Sequence, residues 1–278
     1  MEPAPLRRRR ALSSEGARNV RQQGHDDALE FAHSIGLPND YRNDPQAKKD
    51  VIDQSGEAHT VKSGQKKWQI FLYGKGRFES DEAFKSMNGI GDLLIDCIDA
   101  FPPSFEQYQA NKQEAKEQLR IPMKKLAERL QNPNLLRGFL AKSLFNGNEA
   151  TYLTVKHDDI FHVFWNKDVI NVLGQCLEVC NSKAIQAGQT PEQKVLFRYG
   201  GVNIGELEMR NESQVHYQEI RFNMIKPKIM NLLFEKIPMT AQFNQSVLVY
   251  GNAPKHFARW QGAPKLIPID IPKLLADC

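Results

Sequence analysis

Apolar and polar positions follow a helical period at the start of the chain and a strand period soon after it. Over residues 17–35, Val20, Leu29, Phe31 and Ile35 are the apolar positions of a first predicted helix, which Gly36 and Pro38 stop. Residues 39–46 are a turn-rich bridge. Residues 50–53 and 58–62 then predict two short strands, joined by Gln54-Ser55-Gly56-Glu57, a tight polar connection suited to a hairpin. Gly64 breaks the chain before residues 67–73, a third strand-like run. From Gly89 to Asn146 the pattern is that of several helices, with Pro122 opening one and Asn134 capping another after Pro133.

The second half changes character. Residues 151–155 and 160–165 predict a strand pair across His157-Asp158-Asp159, and residues 168–181 a helix. An antiparallel meander follows over residues 195–199, 203–210 and 215–224, then a short helix at 227–234 and a last strand at 247–250. Strands mixed with helices place the chain in the α/β class, as a mixed central sheet flanked by helices with an antiparallel, β-rich C-terminal part. Three stretches are expected: an arm over residues 1–24, a helix and hairpin core over 25–147, and a β-rich part over 148–278 that can fuse with the core into one domain.

Charge sharpens this division. The 278 residues carry 37 Lys and Arg against 33 Asp and Glu, a net charge of +4. Residues 1–24 hold six arginines against Glu2 and Glu15, so the arm accounts for the whole excess and the body is neutral. A neutral body argues against indiscriminate coating of nucleic acid and leaves room for local engagement through a cleft. The Arg7–Arg10 run reads as a solubilising tail or as an arm around phosphates. Cys97, Cys176, Cys180 and Cys278 are too scattered for a disulfide framework. Cys176 and Cys180, one helical turn apart, are expected to face a core with Val172, Leu173 and Val179. The sequence shows neither an apolar leader nor a membrane span, so a soluble, cytoplasmic protein is expected.

The densest chemistry lies between Lys49 and Gly64. An acid opening one strand and a lysine on its hairpin partner converge on one face, because side chains alternate and the turn folds the strands together. Phosphodiester hydrolysis uses such a group. Carboxylates hold one or two Mg²⁺ ions, which polarise the phosphate and activate water, while an ammonium orients that water and offsets charge in the transition state. Glu30, on the helix just before the hairpin, adds a third group.

With Glu30 in an early helix, Asp50 opening a strand and Thr60-Val61-Lys62-Ser63-Gly64 about a dozen residues on, the chain resembles the PD-(D/E)xK nucleases, and among them the type II restriction endonucleases. The resemblance spans roughly residues 20–75. It implies Asp50 as a metal ligand, Lys62 as the lysine that assists hydrolysis, and Mg²⁺ as cofactor. The middle position of the motif is Thr60 rather than an acid, so Glu30, Asp53 or Glu57 is left to supply the missing carboxylate. It further implies sequence-specific cleavage of double-stranded DNA, a catalytic core before residue 148, a recognition and dimerisation part after it, a homodimer with two active sites on a twofold axis, and a cognate DNA methyltransferase.

Other constellations compete. Arg198, Arg210, Gln214, His216, Gln218, Arg221 and Asn223 lie in the meander, and Arg, Gln and Asn can pair bidentately with base edges. Lys124 and Lys125, with Arg129, are further candidates for DNA contacts, or simply the wet side of a helix that buries Met123, Leu126, Ala127 and Leu130. Glu206-Leu207-Glu208-Met209-Arg210 puts two acids and an arginine on one strand face, with Arg poorly suited to replace a catalytic Lys. His157, Asp158, Asp159 and His162 have metal-ligand types without metal-site spacing. These features also fit a second class, a noncatalytic DNA- or RNA-binding regulator.

Overall fold

A computed structural model describes residues 14–38, 50–184, 189–211 and 214–269. The Arg7–Arg10 run, the 39–46 bridge, Lys49 and Cys278 lie outside the described residues. The first element is α1 (Ser14–Ser34), which already begins within the basic arm. The hairpin strands β1 (Val51–Ile52) and β2 (Ala58–Lys62) and the strand β3 (Lys67–Tyr73) follow. Helices α2 (Lys75–Ser80), α3 (Glu82–Lys85), α4 (Ile90–Asp99), α5 (Phe105–Ala110), α6 (Lys112–Leu130) and α7 (Pro133–Phe145) lead to the hairpin β4 (Tyr152–His157) and β5 (Ile160–Trp165). Next come α8 (Asn166–Cys176), β6 (Glu178–Asn181), β7 (Lys194–Tyr199), β8 (Val202–Met209) and β9 (Ile220–Ile225). The last elements are α9 (Lys226–Lys236), β10 (Met239–Asn244), β11 (Val247–Tyr250) and β12 (Ile267–Pro268).

The protein is α/β. A seven-stranded mixed sheet runs β1-β2-β4-β5-β11-β10-β12, and a five-stranded antiparallel sheet runs β3-β9-β8-β7-β6. In the mixed sheet β2 lies parallel to β4, and β5 parallel to β11. Parallel neighbours require long crossovers, and here the two crossovers carry the helices and the strands of the second sheet. The mixed sheet thus draws strands from both halves of the chain, and β3 of the first half pairs with β9 of the second.

Alternation along the mixed sheet splits the core in two. Leu153, Val155, Phe164 and Tyr250 face the helices and the second sheet, whereas Tyr152, Phe161, Val163 and Val249 face α1. The buried stripe of α1 is Ala28, Phe31, Ala32 and Ile35, while Val20 is 59% exposed. The larger core centres on Phe71, Phe139, Phe197 and Phe222, with ring centroids of Phe222 5.1–5.7 Å from the other three.

Several local expectations change. Pro122 lies inside α6 instead of opening a helix. Leu119, Met123, Leu126 and Leu130 are buried along the same stripe, and that burial outweighs the roughly 3 kcal/mol that an interior proline costs. The cap of α7 is Asn132, whose side chain accepts the Asn134 and Leu135 amides while Pro133 takes the first turn. The helix expected over 168–181 stops at Cys176 because the following residues pair with β7, which places Cys180 on a strand and leaves both cysteines half-buried. The last meander strand starts at Ile220 rather than at 215, since the preceding residues form a turn. The β4–β5 turn uses Asp158 and Asp159 with φ of 50° and 60°, a left-handed pair that fits a two-residue hairpin.

His162 is buried on β5, with Nδ1 2.8 Å from the Tyr250 hydroxyl. Burial pushes its imidazole down to about 4, against the opposing backbone hydrogen bond at His157. A histidine with a lowered folded value binds fewer protons folded than unfolded, so its stabilisation is present above about 6.5 and is lost as pH falls toward 4. The loss is of order 3 kcal/mol. Urea midpoints measured in steps from pH 7.5 to 4.5 are expected to fall less steeply in His162→Gln than in the wild type; equal slopes would remove His162 from the account.

Candidate active site

The β1–β2 hairpin is closed by Asp53. Its Oδ1 accepts the Ser55 amide at 2.9 Å and the Glu57 amide at 3.0 Å as well as the Ser55 hydroxyl, while Gly56 takes the positive φ of 84° that the turn needs. Its Oδ2 is 3.6 Å from Nε2 of His59, too far for a hydrogen bond but near enough for attraction. Burial lowers the His59 imidazole below its ordinary value despite this carboxylate. Burial raises the Asp53 carboxyl, and His59 with the Ser55 hydrogen bonds more than reverses that shift. Asp53 is therefore engaged within the hairpin and among Phe31, Tyr152 and Phe257 around His59.

Asp50 stands where β1 begins. Its amide donates to the His59 carbonyl at 3.0 Å, and its Oδ2 accepts the Val61 amide at 2.7 Å, so the side chain extends the ladder one step past the strand. Thr60 and Lys62 share the adjacent face of β2 by alternation. The Thr60 hydroxyl donates to Asp50 Oδ2 at 3.4 Å and accepts from Lys62 Nζ at 2.9 Å. Lys62 Nζ is 3.9 Å from the same oxygen. Asp50, Thr60 and Lys62 thus form one connected group, with the lysine and aspartate side chains 25% and 33% exposed. Every contact of the Asp50 carboxylate goes through Oδ2, and Oδ1 has no hydrogen bond among the described residues.

The group lines a cavity of about 110 Å³, closed by Ile70 of β3 and by Ser143, Leu144, Phe145 and Asn146 at the end of α7. Glu149 and Ala150 complete the lining. The carbonyl end of a helix favours cations, and the Ser143 hydroxyl is buried without a partner among the described residues. No three His, Cys, Asp or Glu side chains gather as a metal cage among the described residues. The free Asp50 oxygen, the hydroxyls and the exposed Glu149 are hard oxygen donors, and they suit a Mg²⁺ ion that keeps most of its waters.

Glu30 stands elsewhere. It pairs with Lys156 Nζ at 2.6 Å, beside Asp27 at 3.0 Å from the same nitrogen. In the parallel register Val61 lies opposite Thr154 and Lys62 opposite Val155, so Lys156 belongs to the α1 side of the sheet and Lys62 to the other. Glu57 accepts a hydrogen bond from the Thr151 hydroxyl. The carboxylate that joins Asp50 around the cavity is Glu149, from the turn between α7 and β4. Nothing in the sequence around Glu149 marks it as a site residue; only the β2–β4 pairing brings it there. Lys226, equally unmarked in the sequence, is 1% exposed and donates to the carbonyls of Ser63 and Lys156, tying the end of β2 to the end of β4. Burial lowers its ammonium, with Asp158 and Asp27 opposing.

The residues expected to read bases are largely engaged within the protein. On the face of the antiparallel sheet opposite Leu207 and Phe222, Glu206 binds Lys67 at 2.6 Å and Lys194 at 3.1 Å, and Glu208 binds Lys194 and Arg221. Burial alone raises the Glu206 carboxyl, but Lys67 and Lys194 hold it below its ordinary range. Arg198 donates to the Gly201 carbonyl, and Gln218 to those of Phe101 and Pro102. Arg210 is half-buried, and its Nε has no partner among the described residues. Lys124 and Lys125 are exposed on α6.

No protein-family model, curated protein or solved structure matches the chain. Among the described residues no helix is long and apolar enough to cross a membrane.

Proposed function

We propose that the protein is a Mg²⁺-dependent endonuclease that cleaves double-stranded DNA at specific sites, in the manner of type II restriction enzymes. The observation that carries this is the Asp50–Thr60–Lys62 group, with the lysine 3.9 Å from the aspartate at the wall of a cavity. Two further features support it: the unengaged Asp50 oxygen and the α7 carbonyl end both favour a cation in that cavity.

Asp50, with Glu149 at the rim, would hold the ion. When bound, Mg²⁺ supplies charge neutralisation on the phosphate and a lowered pKa for water. The Val61 amide and the Thr60 hydroxyl fix Asp50 Oδ2, so the carboxylate needs little reorganisation. Thr60 also accepts from Lys62 Nζ, which aims the ammonium into the cavity. There Lys62 orients the attacking water and offsets charge as the phosphorus–oxygen ester bond breaks, leaving a phosphomonoester and a free hydroxyl. A homodimer with two such sites, working in the cytoplasm beside a cognate methyltransferase, belongs to the same proposal.

The test is incubation of the purified protein with unmethylated phage DNA and Mg²⁺, against a chelated control. Discrete fragments are expected only with the metal. Intact DNA from several sources, with Mn²⁺ tried as well, would sink the proposal.

A further inference from the structure

Between Lys236 and Ile269 the chain contains no Asp or Glu, yet it contains Lys236, Lys255, Arg259 and Lys265. After β11 this segment crosses the α1-side face of the mixed sheet. Phe257 is fully buried there against His59, Tyr152 and Phe243, with Trp260 packed beside it. With the aromatic side chains turned inward, Lys255, His256, Arg259 and Lys265 are exposed. Lys255, Arg259 and Lys265 border a groove of about 650 Å³ that also includes Trp260 and Pro264. The strip continues past it: Trp165 stacks on His256 at 4.5 Å, and Lys167 Nζ lies 5.0 Å from the Trp165 ring centre.

These cations differ from those of the antiparallel sheet. Among the described residues Lys167, Lys255, Arg259 and Lys265 have no carboxylate partner, whereas Lys67, Lys194 and Arg221 are neutralised by Glu206 and Glu208. The neighbouring acid, Asp168, is turned to the backbone and side chain of Asn252 at 2.7 and 2.9 Å. That contact anchors the start of the segment. Gly251 has φ of 56° and a Cβ there would lie 2.5 Å from the Asp168 carboxylate, so the position tolerates no side chain. Arg259 is near enough to Tyr152 for its charge to act on that phenol. Tyr152 opens β4 two residues after Ala150 of the cavity lining, so strip and cavity lie at the same end of the sheet, on its opposite faces.

We infer that this strip, from Lys167 through Lys255 and Arg259 to Lys265, grips the phosphodiester backbone of duplex DNA. The choice of duplex DNA as the polyanion rests on the proposed endonuclease activity. Exposed, uncompensated cations with stacked aromatic side chains contact phosphates without selecting bases, and such contacts set register and affinity.

Binding of a short fluorescent duplex, followed by anisotropy without divalent cation over a range of salt, tests this. The combined variant Lys255→Ala, Arg259→Ala and Lys265→Ala is expected to bind roughly 10- to 100-fold more weakly, with a salt slope shallower by about 2 to 3. Lys112→Ala with Lys228→Ala, two exposed cations on α6 and α9, serves as a charge control and is expected to change affinity less. Unchanged melting must accompany the loss. Wild-type cleavage with unaltered duplex binding in the triple variant overturns this inference and leaves the endonuclease proposal standing. Loss of duplex binding in a protein that never cleaves does the reverse. Equal or tighter wild-type binding to single-stranded RNA overturns the choice of duplex DNA.

Discussion

Asp50→Asn and Lys62→Ala are each expected to lower DNA cleavage by about 100- to 1,000-fold while leaving thermal unfolding nearly unchanged. Both side chains are partly exposed, so neither substitution opens a core cavity, and the effect on rate and the effect on stability separate cleanly. Lys62→Arg is expected to rescue little. The guanidinium keeps the charge, but its fixed fork and permanent protonation suit it poorly to positioning a water molecule. Thr60→Val removes the hydroxyl between the two groups and is expected to lower the rate by a smaller factor, because Asp50 keeps the Val61 amide. Single-turnover cleavage of a plasmid, with duplex binding measured in parallel, distinguishes these outcomes. Full activity in either Asp50→Asn or Lys62→Ala would show that this group is an ordinary solvated hairpin.

The largest expected effect on stability is that of Phe222→Ala, about 3–5 kcal/mol. Phe222 is completely buried, and its ring meets Phe71 of β3, Phe139 of α7 and Phe197 of β7, so truncation opens a void where three elements converge. For a chain of this size that corresponds to a drop in melting temperature of roughly 10 °C. Calorimetry at pH 7 checks it, and Phe222→Leu is expected to recover more than half of the loss by refilling the void. A change below about 1 kcal/mol for the alanine variant would mean that the surrounding aromatic side chains collapse into the space.

The hairpin is legible in the sequence because all its determinants are local. A polar connection with glycine, alternating apolar positions and a dozen residues of separation suffice to bring Asp50 near Lys62. Glu30 shows the limit of that logic. Its nearness to the hairpin along the chain does carry into space, since α1 packs on β1 and β2, but it packs on the opposite face from Lys62. The face on which a helix lies depends on what else the sheet must cover, and no local pattern contains that information. Glu149 is illegible for the complementary reason, since it arrives through a parallel pairing that spans six helices and β3. Arg221 of the meander likewise looks free in the sequence, because Glu208, the cross-strand partner that neutralises it, becomes its neighbour only when the register is known.

By itself, then, the sequence determined the α/β class, the strand pairs closed by short turns, the early amphipathic helix and the Asp50–Thr60–Lys62 grouping, all of which follow from periodicity and turn chemistry within about a dozen residues. Tertiary structure alone decided the rest. Long crossovers assembled the two sheets, burial of the α6 stripe from Leu119 to Leu130 kept Pro122 inside a helix, and strand pairing ended α8 where a helix could have continued. It also decided which charges are neutralised and which, along the Lys255–Lys265 strip, have no carboxylate partner among the described residues. Burial and cross-strand pairing between distant segments control these outcomes, and both outweigh local propensity by several kcal/mol.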